Sequence, residues 1–283
     1  MPSPKRTVLI TGCSDGGLGA ALAIAFHNAG LHVYATARTP SKMSHISSLG
    51  IETLVLDVLS DTSIASCVAK LPSLDILVNN AGAGYTVTVT DIDIAKAKKL
   101  FDLNVWSYIA VANAFLPLLM RSKNGGMIIN NTSIVSEVAL PFQAAYNASK
   151  AAVSMFSQIQ RLELATFNIT VVELKTGVVV SNFLASKEVA LPSTVPEESI
   201  WVKAKEEVER GLRQDSMVGT GIEAGKWARG VVGDVLKTSP PPVIWRGGSA
   251  FLVRLGTVLP FGTLDGTAKK TTGLDVVQDI LKR

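Results

Sequence analysis

The chain has 283 residues, 47% of them apolar and 18% charged, enough to bury one large α/β core or two small ones. Its net charge of +4 comes from 27 basic and 23 acidic residues spread without basic runs, so no polyanion-binding surface is declared and nucleic acid is not an expected partner. Two cysteines, Cys13 and Cys67, lack the number and spacing of a disulfide framework or a zinc site, which points to a reducing, cytoplasmic setting and to no metal.

The sequence opens MPSPKRTVLIT, a short polar stretch running straight into a β-like run, with no apolar segment of signal-peptide length. Apolar runs rich in Val, Ile and Leu then recur at 7–11 (TVLIT), 31–37 (LHVYATA), 52–58 (ETLVLDV), 74–82 (LDILVNNAG), 126–133 (GMIINNTS) and 169–177 (ITVVELKTG), with a seventh at 242–246 (PVIWR). Helix-period segments separate them: AALAIAFHNAG, SDTSIASCVAKL, the long DIAKAKKLFDLNVWSYIAVANAFLPLL, and AAYNASKAAVSMFSQIQRLELATF. This alternation predicts an α/β fold, a Rossmann-like doubly wound parallel sheet of about seven strands with helices on both faces. Residues 103–120 carry no charge over 18 positions, close to the lower length of a membrane span. Asn104, Ser107, Asn113 and Pro117 interrupt that run, and strands of one sheet flank it, so a helix buried between the sheet and a partner subunit is expected.

One domain is expected over 1–283. A core occupies 7–182, an insertion over the strand ends occupies 183–216, and 217–283 holds a C-terminal helix, the last strand and an apolar tail. The insertion carries Phe183, Leu184, Val189, Leu191, Ile200 and Trp201, as a lipophilic substrate lid would; a solvated hairpin or ordinary packing would use the same residues. The tail, with Arg246, Arg254, Lys269 and Lys270 beside apolar positions, is a candidate for peripheral contact with a membrane of the endoplasmic reticulum or a lipid droplet. Burial against the lid or a second subunit is the favoured alternative, because Pro260 and the glycines shorten any helix.

The turn TGCSDGGLG, Thr11 to Gly19, joins the first strand to its helix, where free N–H groups and the positive end of the helix dipole suit a pyrophosphate. Gly12, Gly17 and Gly19 fit neither G-x-G-x-x-G nor G-x-x-x-G-x-G: the loop Cys13, Ser14, Asp15, Gly16 is one residue too long. By itself it reads equally as a structural turn. In YNASK, Tyr146 and Lys150 lie four apart and share a helix face, so an ammonium can tune a phenol as acid or base. Ser133, thirteen residues earlier at a strand's carboxyl end, can donate to a substrate carbonyl as charge develops. Asn104 lies in the long helix, where its amide could hold a water linking the lysine to solvent or simply bond locally.

With these landmarks in this order (the glycine turn, Asp57 and Val58 after the third strand, NNAG at 79–82, Asn104, Ser133, YNASK at 146–150 and TGVVVS at 176–181), the sequence resembles the short-chain dehydrogenase/reductase family over residues 7–182. It is most similar to fungal members related to 1-acyldihydroxyacetone-phosphate reductase and to secondary-metabolite members. The resemblance implies that Tyr146 exchanges a proton with a carbonyl or alcohol oxygen, that Ser133 polarises it, and that Lys150 lowers the tyrosine pKa and holds the nicotinamide ribose. Asn104 would complete a proton relay. Gly12, Ser14, Gly17, Leu18 and Gly19 would cradle the phosphates, with Ser14 to Gly16 bulging toward the adenosine 2′ side. Asp57 and Val58 would contact the adenine, Asn80, Ala81 and Gly82 would wall the adenosine, and Val179 and Ser181 would hold the carboxamide. Two features depart from the family pattern: the long turn, and Thr176 where a proline usually precedes the glycine, which removes a fixed φ.

At the end of the second strand the position of the acid that selects NAD is Ala37, followed by Arg38, which favours NADP(H). The expected activity is reduction of a ketone or aldehyde on a lipophilic small molecule, or the reverse oxidation, by a homodimer or homotetramer. The substrate could be acyl-dihydroxyacetone phosphate, a steroid- or retinoid-like carbonyl, or a secondary metabolite. A nucleotide-binding regulatory protein without turnover is the alternative of a different class.

Overall fold

The computed structural model describes residues 5–182, 194–215 and 220–282. The lid helix expected around 182–191, with Phe183, Leu184, Val189 and Leu191, therefore lies outside the described residues save for Asn182. Strands β1 (Thr7–Ile10), β2 (His32–Ala37), β3 (Glu52–Val55), β4 (Ile76–Asn79), β5 (Gly126–Asn131) and β6 (Ile169–Thr176) coincide with the six apolar runs. A two-stranded parallel pair, β7 (Val179–Val180) with β8 (Ile222–Glu223), follows; no sequence signal marked it. β9 (Val243–Arg246) is the expected last strand.

The main sheet has seven parallel strands in the order β3-β2-β1-β4-β5-β6-β9. Strand order reverses between β1 and β4, and the crevice outside the carboxyl ends at such a reversal is where doubly wound sheets bind ligands. β1, β4 and β5 are buried at every position, as strands covered on both faces must be.

On one face, α1 (Leu18–Asn28) packs against α8 (Ala224–Val235), with Phe26 and Trp227 fully buried. The short α2 (Ser44–Ser48) joins this layer through Ile46. On the other face lie α3 (Asp61–Val68) and a long helical rod: α4 (Ile94–Phe101), a π-helical turn at Asp102–Trp106, and α5 (Ser107–Met120). Val111, Ala112, Phe115, Leu118 and Leu119 seat the rod on the sheet, and Pro117 falls in its last turns without ending it. The segment Ile94–Met120 is long and apolar enough to cross a membrane, but half of its most apolar window is buried inside the protein. Its outer side is apolar too, with Trp106 half exposed and edge-on to Phe156 of α6 (Ala144–Leu164), which runs alongside.

Beyond the core, α7 (Lys205–Leu212) and α11 (Leu274–Leu281) clamp a separate cluster of Phe142, Val195, Ala204, Val208, Leu212 and Val277. Trp201 joins its edge, against Phe142, and donates from Nε1 to Thr90 Oγ1 at 2.9 Å. α9 (Ala250–Gly256) turns Ala250 and Val253 inward to Ile134 and Val135, while Phe251, Leu252 and Leu255 face solvent. α10 (Asp265–Thr272) links it to α11. The tail is thus three short helices rather than one amphipathic one, separated at Pro260 and Gly273.

Candidate active site

The glycine turn is shaped by backbone packing as much as by ligand chemistry. Gly12 has φ +73° and a Cβ there would come within 2.8 Å of Ala81 Cα. A Cβ at Gly19 would stand 2.5 Å from Gly12 O and 2.6 Å from Asn80 Nδ2, so the NNAG segment can lie directly on the turn only because these positions are glycine. Helix α1 begins at Leu18 with Gly17 as its N-cap, not at Gly16. No side chain caps it and its first turn holds no acid, so the orphan N–H groups of that turn and the positive dipole end are left for a ligand. The residues present fit a pyrophosphate.

The extra residue of the turn has a visible use. Asp15 N–H donates to Lys42 O at 2.7 Å, and Asp15 Oδ2 accepts from His45 N at 3.0 Å and Ser44 Oγ at 3.3 Å. Its carboxylate is thereby turned onto the start of α2, while Gly16 O accepts from Asn182 N at 3.1 Å. An acid in this turn is unhelpful to a 2′-phosphate; bonded this way, part of its charge is already taken up by N–H and O–H donors. Ala37 is buried at the end of β2, and the exposed Arg38 follows it. Asp57 caps its own loop, Oδ1 accepting from Leu59 N at 3.0 Å, and Val58 is buried beside it. Val179 is held in register by β8 and Ser181 follows two residues on, next to the turn that Asn182 contacts.

Tyr146 and Lys150 lie on the first two turns of α6, and Ser133, two residues past the end of β5, meets Tyr146. The Ser133 hydroxyl hydrogen-bonds the Tyr146 phenol. Ser133 Oγ also accepts from Val135 N at 3.3 Å, which fixes the hydroxyl at the start of the tight turn that ends β5. Lys150 Nζ donates to Asn131 O at 2.9 Å and stands 5.4 Å from the Tyr108 ring and 5.9 Å from the Tyr146 ring.

The electrostatics differ from the expectation that the ammonium pulls the tyrosine down. Burial pushes the Tyr146 phenol up to about 12, only partly opposed by the Ser133 hydrogen bond. Burial also brings Lys150 down to about 8. At neutral pH the site therefore presents a protonated phenol beside an ammonium, the state of a proton donor.

Asn104 also differs in detail. It is fully buried in the π-helical turn, where Oδ1 accepts from Ala83 N at 2.9 Å and Nδ2 donates to Ala83 O at 2.9 Å and Ser149 Oγ at 3.1 Å. Its amide clamps the chain just past Gly82 rather than offering a free pair of groups to water. A Cβ on Gly82 would sit 3.1 Å from Asn104 Oδ1 and 3.8 Å from Lys150 Nζ, so the NNAG loop, the π turn and the lysine converge. A π turn breaks the regular i→i−4 ladder and is often found at functional sites.

Sequence reading missed three participants. Tyr108 donates to Asn131 O at 3.1 Å, one face turn after the π segment, and nothing in an apolar helix singles it out. Glu173 and Lys175 are a buried ion pair at 2.7 Å on β6, and Lys175 also reaches Glu137 at 2.6 Å, Ser136 Oγ at 3.0 Å and Ser154 Oγ at 3.0 Å. Two opposite charges two apart in an otherwise apolar strand were the available signal. Cys13 and Cys67 are buried thiols raised by burial, and no cluster of potential metal ligands occurs among the described residues.

A family model described as short chain dehydrogenase matches residues 6–190. A short-chain dehydrogenase/reductase of Pestalotiopsis microspora is 54% identical over 98% of this chain and 98% of its own length. An NADPH-dependent 1-acyldihydroxyacetone phosphate reductase of Schizosaccharomyces pombe is 35% identical over 90% of each chain. Among solved structures, a short-chain dehydrogenase from Streptomyces avermitilis superposes with a TM-score of 0.77 at 27% identity, covering 98% of both chains. A gluconate 5-dehydrogenase from Burkholderia cenocepacia, solved with NADP and tartrate, gives a TM-score of 0.59 at 26% identity over 66% of this chain and 78% of that one.

Proposed function

Since the chain belongs to the short-chain dehydrogenase/reductase family and is an oxidoreductase of NADP-dependent type acting on small organic carbonyls or alcohols, we propose that it reduces the carbonyl of a lipophilic small molecule, with Tyr146 as the proton donor. The observation that carries this reading is the convergence of Ser133, Tyr146 and Lys150 from β5 and α6, with the phenol bonded to the serine and protonated at neutral pH.

NADPH would be held by the turn Gly12 to Gly19, by Arg38 at the 2′-phosphate, and by Asp57, Val58, Asn80, Ala81, Gly82, Val179 and Ser181 along the crevice; when bound, it supplies the hydride. Ser133 donates to the substrate oxygen and strengthens that bond as negative charge builds there. Tyr146 releases its proton to the same oxygen, and the phenolate left behind is stabilised by the Lys150 ammonium. Lys150 is in turn kept in place by the Asn131 carbonyl.

The lipophilic class is supported by what surrounds the phenol. The Tyr146 ring lies where two apolar clusters meet, one holding Tyr85, Val87 and Leu100, the other Ile134, Val135, Val138, Leu140 and Val253.

The test is an NADPH oxidation assay on a panel of ketones and aldehydes of graded hydrophobicity, with Tyr146→Phe as control. Removing the proton donor is expected to lower kcat by roughly 10²–10⁴ with NADPH affinity retained. Tight NADPH binding without turnover across the panel, or a Tyr146→Phe variant as active as the wild type, would overturn the proposal in favour of a non-catalytic nucleotide-binding role.

A further inference from the structure

A chain of side-chain hydrogen bonds runs across the carboxyl ends of four neighbouring strands. Thr176 Oγ1, at the end of β6, bonds Asn131 Oδ1 of β5 at 2.6 Å. Asn131 Nδ2 donates to Asn80 Oδ1, just past β4, at 2.9 Å. Asn80 Nδ2 donates to Thr11 O at 2.8 Å and Gly12 O at 3.3 Å, at the end of β1. Because the Asn131 amide nitrogen is committed to the Asn80 oxygen, its own oxygen is what faces Thr176, and the threonine hydroxyl must be the donor.

Asn131 is the joint of this chain. Its side chain is gripped from both sides along the sheet, and its main-chain carbonyl accepts from both Lys150 Nζ and Tyr108 OH. Both Asn131 and Thr176 are buried, so neither grip can be replaced freely by solvent. A proline at position 176 has no hydroxyl and could not make the bond. The departure from the family pattern that looked like a loss of rigidity is therefore matched by a hydrogen bond to a residue 45 positions away.

We propose that Thr176 is a positioning residue: its hydroxyl holds Asn131 so that the Asn131 carbonyl fixes the Lys150 ammonium next to Tyr146. The catalytic part of this statement rests on the reductase reading above; the effect on Lys150 does not. The titratable groups that face Lys150 are Tyr108 of α5 and Tyr146 of its own helix, and neither carries charge at neutral pH, so the Asn131 carbonyl is the acceptor on which the buried ammonium depends. Loosening that carbonyl disfavours the charged form and moves the lysine titration further down.

The experiment follows Lys150 directly, by NMR of protein labelled with ¹³Cε-lysine, its resonance identified by its absence in Lys150→Arg. Thr176→Val is expected to lower the Lys150 midpoint by at least about half a pH unit, because a loosened Asn131 carbonyl solvates the ammonium less well. Thr176→Ser, which keeps the hydroxyl, is expected to restore it. In the NADPH assay the same pair should show kcat lowered several-fold in Thr176→Val, most above pH 8, with the carbonyl KM unchanged and with recovery in Thr176→Ser. Should Thr176→Val fail to fold by circular dichroism, Thr176→Ala, which removes the hydroxyl without adding bulk, takes its place with the same expectations. An unshifted Lys150 midpoint in the folded variant overturns the proposal. A protein that reduces no carbonyl refutes the reductase reading instead, and the NMR shift still decides the role of Thr176.

Discussion

Replacing Lys175 by Met tests how the interior around β6 is held. Lys175 is 5% exposed and its ammonium lies between Glu173, 3% exposed, and Glu137, 31% exposed. Glu137 can turn to water when the ammonium is removed, but Glu173 cannot. It would keep only the Thr132 hydroxyl, which donates to Oε1 at 2.9 Å, while Oε2 already lacks a partner. Breaking a buried pair by deleting one member costs about 3–5 kcal/mol. The expected loss in urea unfolding at pH 7 is therefore about 3–5 kcal/mol. Adding Glu173→Gln removes the stranded charge and should recover most of the difference at pH 7. A loss well under about 1 kcal/mol in the single variant, or no relief in the double variant, would show that the pair does not hold this part of the fold by charge.

Arg38→Asp is expected to raise the NADPH KM by at least tenfold, a loss of about 1.4 kcal/mol, while the NADH KM moves little or falls, measured by steady-state kinetics; an unchanged ratio refutes the 2′-phosphate assignment. Gly19→Ala is expected to weaken both NADPH binding and thermal stability, since the added methyl meets Gly12 O and Asn80 Nδ2, whereas Gly233→Ala, at an exposed position of α8 with nothing within 4 Å, should stabilise by about 0.5–1 kcal/mol. A Gly19→Ala variant as stable as Gly233→Ala would show that the turn is not packed on the NNAG segment as described. The pH profile of carbonyl reduction should be level up to about 8 and then decline as Lys150 loses its proton, with Tyr146 still protonated until about 12. Because Lys150 falls from 10.5 to about 8 on folding, the folded chain binds fewer protons than the unfolded one in that window and stability rises with pH there. Lys150→Met should flatten that rise in chemical unfolding measured across the window, and a rise that persists would assign it to another group.

What the sequence could disclose depended on whether the physics was local. The six apolar runs became six strands of one sheet because strands buried on both faces must be apolar throughout, and PVIWR joined them at the edge. Tyr146 and Lys150 were legible because helical spacing alone puts i and i+4 on one face. The π turn at Asp102–Trp106 was not: its residues continue the composition of the helix around them, and a single shift in hydrogen-bond register leaves no mark on periodicity. The pair β7 and β8 is two residues long on each side, below the length at which alternation can be read. The same distinction separates the two departures from the family pattern. The long turn could be counted in the sequence, yet its use, Asp15 directed onto α2 and Gly16 bonded to Asn182, depends on segments 29 or more residues away. Thr176 could be noticed as a substitution, but a missing proline predicts only a freer backbone. That its hydroxyl reaches Asn131, whose carbonyl accepts from Lys150, follows from the register of β5 against β6, which sets Asn131 opposite Leu174 and brings the ends of both strands to one crevice. Sequence identifies the groups proposed to carry the proton, and the sheet register identifies the groups that hold them in place.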